Sequence, residues 1–166
     1  MASAFVDHVA ILMFAGLLSW AAVSDFRTYL IPNSVSISVA ILYPAHVLAS
    51  PVPVDWLGAL VVGFAALIVG FAMFALRYAG GGDVKLLAAT ALWAGPQNIL
   101  PFLLLTTLAG GMIALLTGTH FRFMRPWPDS ALAPDEAAAL KLRSSVPYGM
   151  AIAAGGLWLA VQTGLR

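Results

Sequence analysis

Two aspartates carry the chemistry open to this chain. Asp25 ends a long apolar run, and Asp83 stands between two further apolar runs in Gly81-Gly82-Asp83-Val84-Lys85. A carboxylate in a membrane-spanning helix costs roughly 2.5–3.5 kcal/mol at mid-bilayer and less toward the interface. Two such residues, on segments able to lie side by side, point to acid–base work at a membrane surface. Two carboxyls that share a proton are the arrangement with which aspartic proteases activate water.

The elements that must position them are membrane helices. Of 166 residues, 61% are hydrophobic and 9% charged, with a mean hydropathy of +0.94; a soluble domain carries about 25% charged residues. The expected fold is an all-α integral membrane protein, one membrane-embedded domain over residues 1–166. Six apolar segments reach helical length: Phe5–Ser24, Asn33–Ala49, Trp56–Leu76, Asp83–Ala94, Asn98–Thr117 and Val146–Thr163. The runs are continuous and do not alternate, which disfavours a β-barrel. The fourth is short: its helix rises only about 18 Å, against a hydrocarbon core of about 30 Å. Either the Gly95-Pro96 turn is recessed into the protein, or the helix starts earlier, among the glycines.

Six spans place Arg27, Arg77, Lys85, Arg122, Arg125, Lys141 and Arg143 on one side and Arg166 alone on the other. Basic residues mark the cytoplasmic side, so both termini are expected on the outer, periplasmic side of a multi-pass inner-membrane protein. Both aspartates then fall at the cytoplasmic boundary. Tyr29, Tyr78 and Tyr148 would anchor the inner interface, Trp56 and Trp93 the outer. Residues 119–145 form a cytoplasmic loop, in which Ala133-Pro134-Asp135-Glu136 opens a short helix.

Composition also excludes. A net charge of +1 with no dense basic cluster argues against nucleic acid. There is no Cys, hence no disulfide framework, thiol nucleophile or Cys-based zinc site. His8, His46 and His120 lack ligand spacing, so neither metal nor cofactor is expected. Asp7 and His8 stand where a cleaved signal peptide has a basic region, so none is expected. Asp7 is expected outside the membrane and tolerant of amide substitution.

Each local signal has a plain structural reading beside the chemical one. Gly80, Gly81 and Gly82 give the backbone freedom and admit a close neighbour, and Asp83 then begins a helix, where the dipole favours an anion; alternatively this is a flexible loop with a capping aspartate. Asp25 alone reads as a solvated residue just past a helix end, paired with Arg27. Ile31-Pro32-Asn33 reads as a turn, with Asn33 or Ser34 able to cap the second helix. Lys85 lies two residues from Asp83 and so off its helix face; it either reaches headgroups or tunes the site. Pro147 suits a first helical turn, followed by Tyr148 and Gly149.

Together, Asp25 with Ile31-Pro32-Asn33, then Gly80-Gly81-Gly82-Asp83-Val84-Lys85, then Val146-Pro147-Tyr148-Gly149 resemble the type IV prepilin peptidases, intramembrane aspartic proteases with a glycine–any–glycine–aspartate signature. The resemblance implies that Asp25 and Asp83 are the catalytic pair. It also implies that the substrate is a pilin precursor, cut behind its basic leader at the cytoplasmic face. Larger members carry a cysteine zinc region and methylate the new N-terminus; with no Cys here, that activity is not carried over. The compact form resembles the peptidases of tight-adherence (Flp, type IVb) pilus systems, and archaeal preflagellin peptidases share the plan. Two other classes fit the composition: a proton-coupled transporter, which would want mid-bilayer carboxylates and an inverted repeat, and a non-catalytic subunit of a pilus or secretion assembly. Oligomeric state is not legible.

Overall fold

A computed structural model of the protein describes residues 2–123 and 148–165. Pro147 and most of the 119–145 loop, with its expected short helix, lie outside the described residues. Among the described residues the chain is all-helical: α1 (Ala2–Thr28), α2 (Asn33–Ala49), α3 (Trp56–Ala75), α4 (Gly81–Phe123) and α5 (Tyr148–Gly164). Three stretches are long and apolar enough to cross a membrane: Ser3–Thr28, Trp56–Ala75 and Gly81–Leu116. Large apolar side chains such as Leu12, Ile41, Phe64 and Leu104 face outward, a surface that suits lipid and would be a liability in water.

The fourth and fifth apolar segments are two helices, as expected, joined without an intervening loop as the two halves of α4. They meet at Gly95, whose φ of 59° and ψ of −175° are non-helical and belong to a region that only glycine enters cheaply. Pro96 follows, its φ fixed by the ring. Contacts show that the halves run in opposite senses. Gly70 and Gly63 of α3 meet Val84 and Leu92 of the first half, so these two elements are antiparallel. On α5, Gly149 meets Asp25 near the start of α4, and Gly156 meets Thr90, so α5 is parallel to the first half. Tyr148 meets Gly110 while Gly155 meets Phe102, so α5 is antiparallel to the second half. The first half also begins earlier than the apolar pattern suggests, at Gly81, so that residues 81–94 rise about 21 Å.

Helix ends are set by local chemistry. The Asp55 carboxylate accepts the Gly58 N–H at 2.9 Å and caps α3. At the other end of α3, Tyr78 N–H donates to Met73 O and Arg77 N–H to Phe74 O, both at 2.9 Å. This is a Schellman closure, which needs a left-handed residue; Arg77 supplies it at φ 63°. Tyr29, at φ 53°, does the same after α1, with its N–H on Asp25 O at 2.9 Å. The N-cap of α2 falls on Pro32, with no side-chain cap, so neither Asn33 nor Ser34 has the capping role expected of it.

The core lies where α1, α2, α4 and α5 meet, around Phe14, Leu18, Val39, Leu86, Phe102 and Leu159. Trp93 belongs to it. Its ring stacks on Phe14 at 4.2 Å and on His46 at 5.1 Å, and its Nε1–H donates to Val39 O at 2.9 Å. The expectation of Trp93 as an interfacial anchor is thereby corrected: its one polar atom is satisfied inside, so it needs no headgroup.

Candidate functional site

Asp25 and Asp83 line one cavity of about 720 Å³ at the end of the bundle where α1 and α3 finish and α4 and α5 begin. Tyr29, Arg77, Gly80, Gly81, Gly82 and Tyr148 line it too. Among the described residues, neither aspartate has a Lys or Arg as a salt-bridge partner. Among the described residues, the two non-glycine residues with positive φ, Tyr29 and Arg77, both stand on its wall, and held backbone strain of this kind gathers at functional sites.

Asp25 lies within the last turn of α1, not beyond it, and is 4% exposed. It does not pair with Arg27. Its Oδ2 accepts the Gly149 N–H at 2.7 Å. This is a free amide of the first turn of α5, where a helix has unsatisfied donors and a positive dipole end. Gly149 is required to be small: a Cβ there would stand 2.8 Å from Asp25 Oδ2 and 2.7 Å from Ile31 Cδ1.

Asp83 is the third residue of α4. Val84 N–H donates to Gly80 O at 3.1 Å, and the Asp83 carboxyl lies back over the glycine loop against Gly80. The glycines serve spacing here, not unusual conformation, since none of Gly80, Gly81 and Gly82 has positive φ. A Cβ at Gly80 would meet Asp83 Oδ2 at 2.7 Å, one at Gly81 would meet the Phe74 ring at 3.4 Å, and one at Gly82 would meet Ile31 Cβ at 3.2 Å.

Ile31 therefore sits between the two aspartate mounts, against Gly82 on one side and Gly149 on the other. Sequence reasoning placed it in a motif without a role; the signal was there in two glycines, each beside an active element. The motif's Pro32 starts α2. Asn33 Oδ1 accepts the Lys85 ammonium at 2.9 Å, which ties the start of α2 to α4 beside the cavity. Among the described residues Lys85 forms no ion pair with either carboxyl. Tyr148 is 39% exposed and rests on Gly110.

The far end of the bundle holds a second polar cluster that the sequence did not reveal. Asp7 and His46, 5% and 7% exposed, are joined through Oδ1 and Nδ1 at 2.5 Å. Asp7 is therefore not a free outside residue: the inward face of α1 meets a histidine on the inward face of α2. No group of His, Asp or Glu able to hold a metal exists among the described residues.

Two carboxyls over one cavity, one of them held by a backbone amide, can accept a proton from water and donate one to a carbonyl oxygen. Comparison with curated proteins and with solved structures finds no match. The model of the type IV leader peptidase family matches residues 12–115, which include both aspartates, the Ile31-Pro32-Asn33 turn and the glycine loop; the chain belongs to that family.

Proposed function

We propose that this protein is an aspartic endopeptidase that removes the basic leader of type IV pilin precursors, of the Flp (type IVb) class, at the cytoplasmic face of the inner membrane. The reading is carried by one observation: Asp25 and Asp83, on different helices, line a single cavity. The topology that goes with it has six crossings, each half of α4 counting as one, with both termini outside. The opposed senses of the two halves and the one-sided distribution of Arg and Lys support it.

In this mechanism the two carboxyls hold one proton between them, because neighbouring like charges do not both ionise cheaply. The ionised member takes a proton from water as its oxygen adds to the scissile carbonyl carbon. The protonated member donates to the carbonyl oxygen. Collapse of the tetrahedral intermediate breaks the C–N bond, and the leaving amine takes a proton from the pair. No metal, nucleotide or other cofactor enters, and methyl transfer is not part of the proposal. The Gly149 amide fixes Asp25, and Ile31 sets the spacing.

The test is co-expression with a pilin precursor. Asp25→Asn and Asp83→Asn should each lower the cleavage rate by roughly 10²–10⁴-fold while the protein accumulates in the membrane at its usual level. Near-normal processing by either variant removes that residue from the pair. An uncut precursor with the unsubstituted protein favours a non-catalytic assembly subunit instead.

A further inference from the structure

We propose that the apolar part of the aspartate cavity is a specificity subsite, in which Leu87 and Met73 receive the side chain of the first residue after the scissile bond and limit its size. This rests on the peptidase reading and deepens it.

Contacts between helices fix the heights in the cavity. Gly70 of α3 meets Val84, and Gly81 meets the Phe74 ring, so Met73 stands level with Asp83. Gly149 of α5 meets Asp25, and Gly156 of the same helix meets Thr90, so Asp25 stands at that level too. Leu87 follows Asp83 by four residues and shares its helix face. Ile152 follows Gly149 by three. Both therefore lie one turn, roughly 5 Å, deeper in the bundle than the carboxyls. Met73, Leu87 and Ile152 line the same cavity as Asp25 and Asp83. The cavity is thus layered, with the carboxyls above and hydrocarbon beside and beneath them.

The three apolar residues differ in what they leave open. Ile152 is 1% exposed and closes the bottom. Leu87 is half-buried, whereas its neighbour Leu86 is wholly in the core. Met73 is 44% exposed. Its carbonyl accepts the Tyr78 N–H in the closure of α3, which fixes its backbone while its unbranched side chain adapts.

The occupant follows from direction. In the proposed topology the deeper layer lies toward the bilayer interior, and the basic leader stays on the cytoplasmic side. A chain cut at the carboxyls therefore descends toward Leu87 with the residue after the scissile bond. An extended residue advances about 3.3 Å, so this side chain is the one in reach of a layer roughly 5 Å below. Leu87 and Ile152 offer no hydrogen bond, and burying a charged group against them is costly, which keeps the leader's basic residues above. An apolar side chain gains by leaving water there.

The test varies the first residue after the scissile bond as alanine, leucine or tryptophan, and compares cleavage rates of the precursors within each protein variant. A ratio taken within one variant cancels its abundance and any partial loss of fold. Leu87→Phe raises the floor, and it should lower the leucine-to-alanine ratio about tenfold, the discrimination expected of a site one carbon group too tight. Met73→Ala widens the side at an exposed position that costs the core little, and it should raise the tryptophan-to-leucine ratio several-fold. Both ratios unchanged, while the unsubstituted protein cuts all three precursors, overturn the subsite and leave Leu87 and Met73 as packing. Ratios that move only when the last leader residue is varied overturn the assignment to the residue after the bond. Precursors left uncut by the unsubstituted protein are a separate result, and it overturns the peptidase reading and the subsite together.

Discussion

α1 carries two buried aspartates, Asp7 and Asp25, eighteen residues apart, or five turns at 3.6 residues per turn. They share a face of the helix and are equally hidden, yet their surroundings differ in kind. Asp7 meets a side chain, His46, within a shell of Tyr43 and Trp93. Asp25 meets a backbone amide of α5 and looks across an open cavity at another carboxyl. The first arrangement gives the carboxyl a side-chain partner. The second holds the carboxyl with a backbone amide, a group that does not take or give a proton, over a cavity it shares with Asp83. Burial of an acid in a membrane helix therefore does not by itself identify function; the partners of the two acids are what differ.

The comparison can be broken at either end. The largest effect is expected from Gly149→Ala. Its methyl group would displace Asp25 or Ile31, and misplacement of about 1 Å costs on the order of a hundredfold in rate. Pilin cleavage at matched membrane abundance measures it, and near-normal cleavage would mean that α5 does not hold Asp25. Asp7→Leu should do the reverse. It leaves His46 buried without its partner, which costs about 2 kcal/mol, read as a lower thermal midpoint in detergent, whereas cleavage below that midpoint stays close to normal. Lost cleavage in folded Asp7→Leu protein would end the division of labour between the two ends. Gly82→Val tests the middle ground: its branched side chain meets Ile31, and about a tenfold loss is expected from a shift smaller than that of Gly149→Ala. The smallest effect belongs to Lys85→Met. It removes one exposed hydrogen bond to Asn33, worth about 1 kcal/mol, and should leave cleavage within several-fold of normal. A collapse of cleavage there would put the ammonium in the site.

Much of the site was legible in the sequence because it lies in local patterns. An aspartate beside a glycine run and another at the end of an apolar run are costly enough to stand out. The helical class followed from the length and continuity of the apolar runs. What stayed hidden depends on tertiary contact. The partner of Asp25 is 124 residues away, and that of Asp7 is 39 away; neither pairing leaves a spacing rule. Trp93 looked interfacial because a satisfied indole and an anchoring one have the same sequence surroundings. The glycines before Asp83 suggested freedom of φ, whereas their contacts show that the missing Cβ atoms are what matters. Helix ends ran past the apolar pattern because backbone hydrogen bonding does not stop where hydrophobicity does.

Gly95 gives the molecule a lever. The first half of α4 is an arm with Asp83 near one tip, packed against Ile31 and α3, and the non-helical glycine stands at the opposite end of the bundle. The second half, beyond the pivot, is braced against α5, which grips Asp25. A tilt of about 5° at the pivot sweeps the tip through roughly 1.5 Å, given 1.5 Å of rise per residue along the arm. The gap between the two carboxyls is thus geared to a corner that touches neither of them.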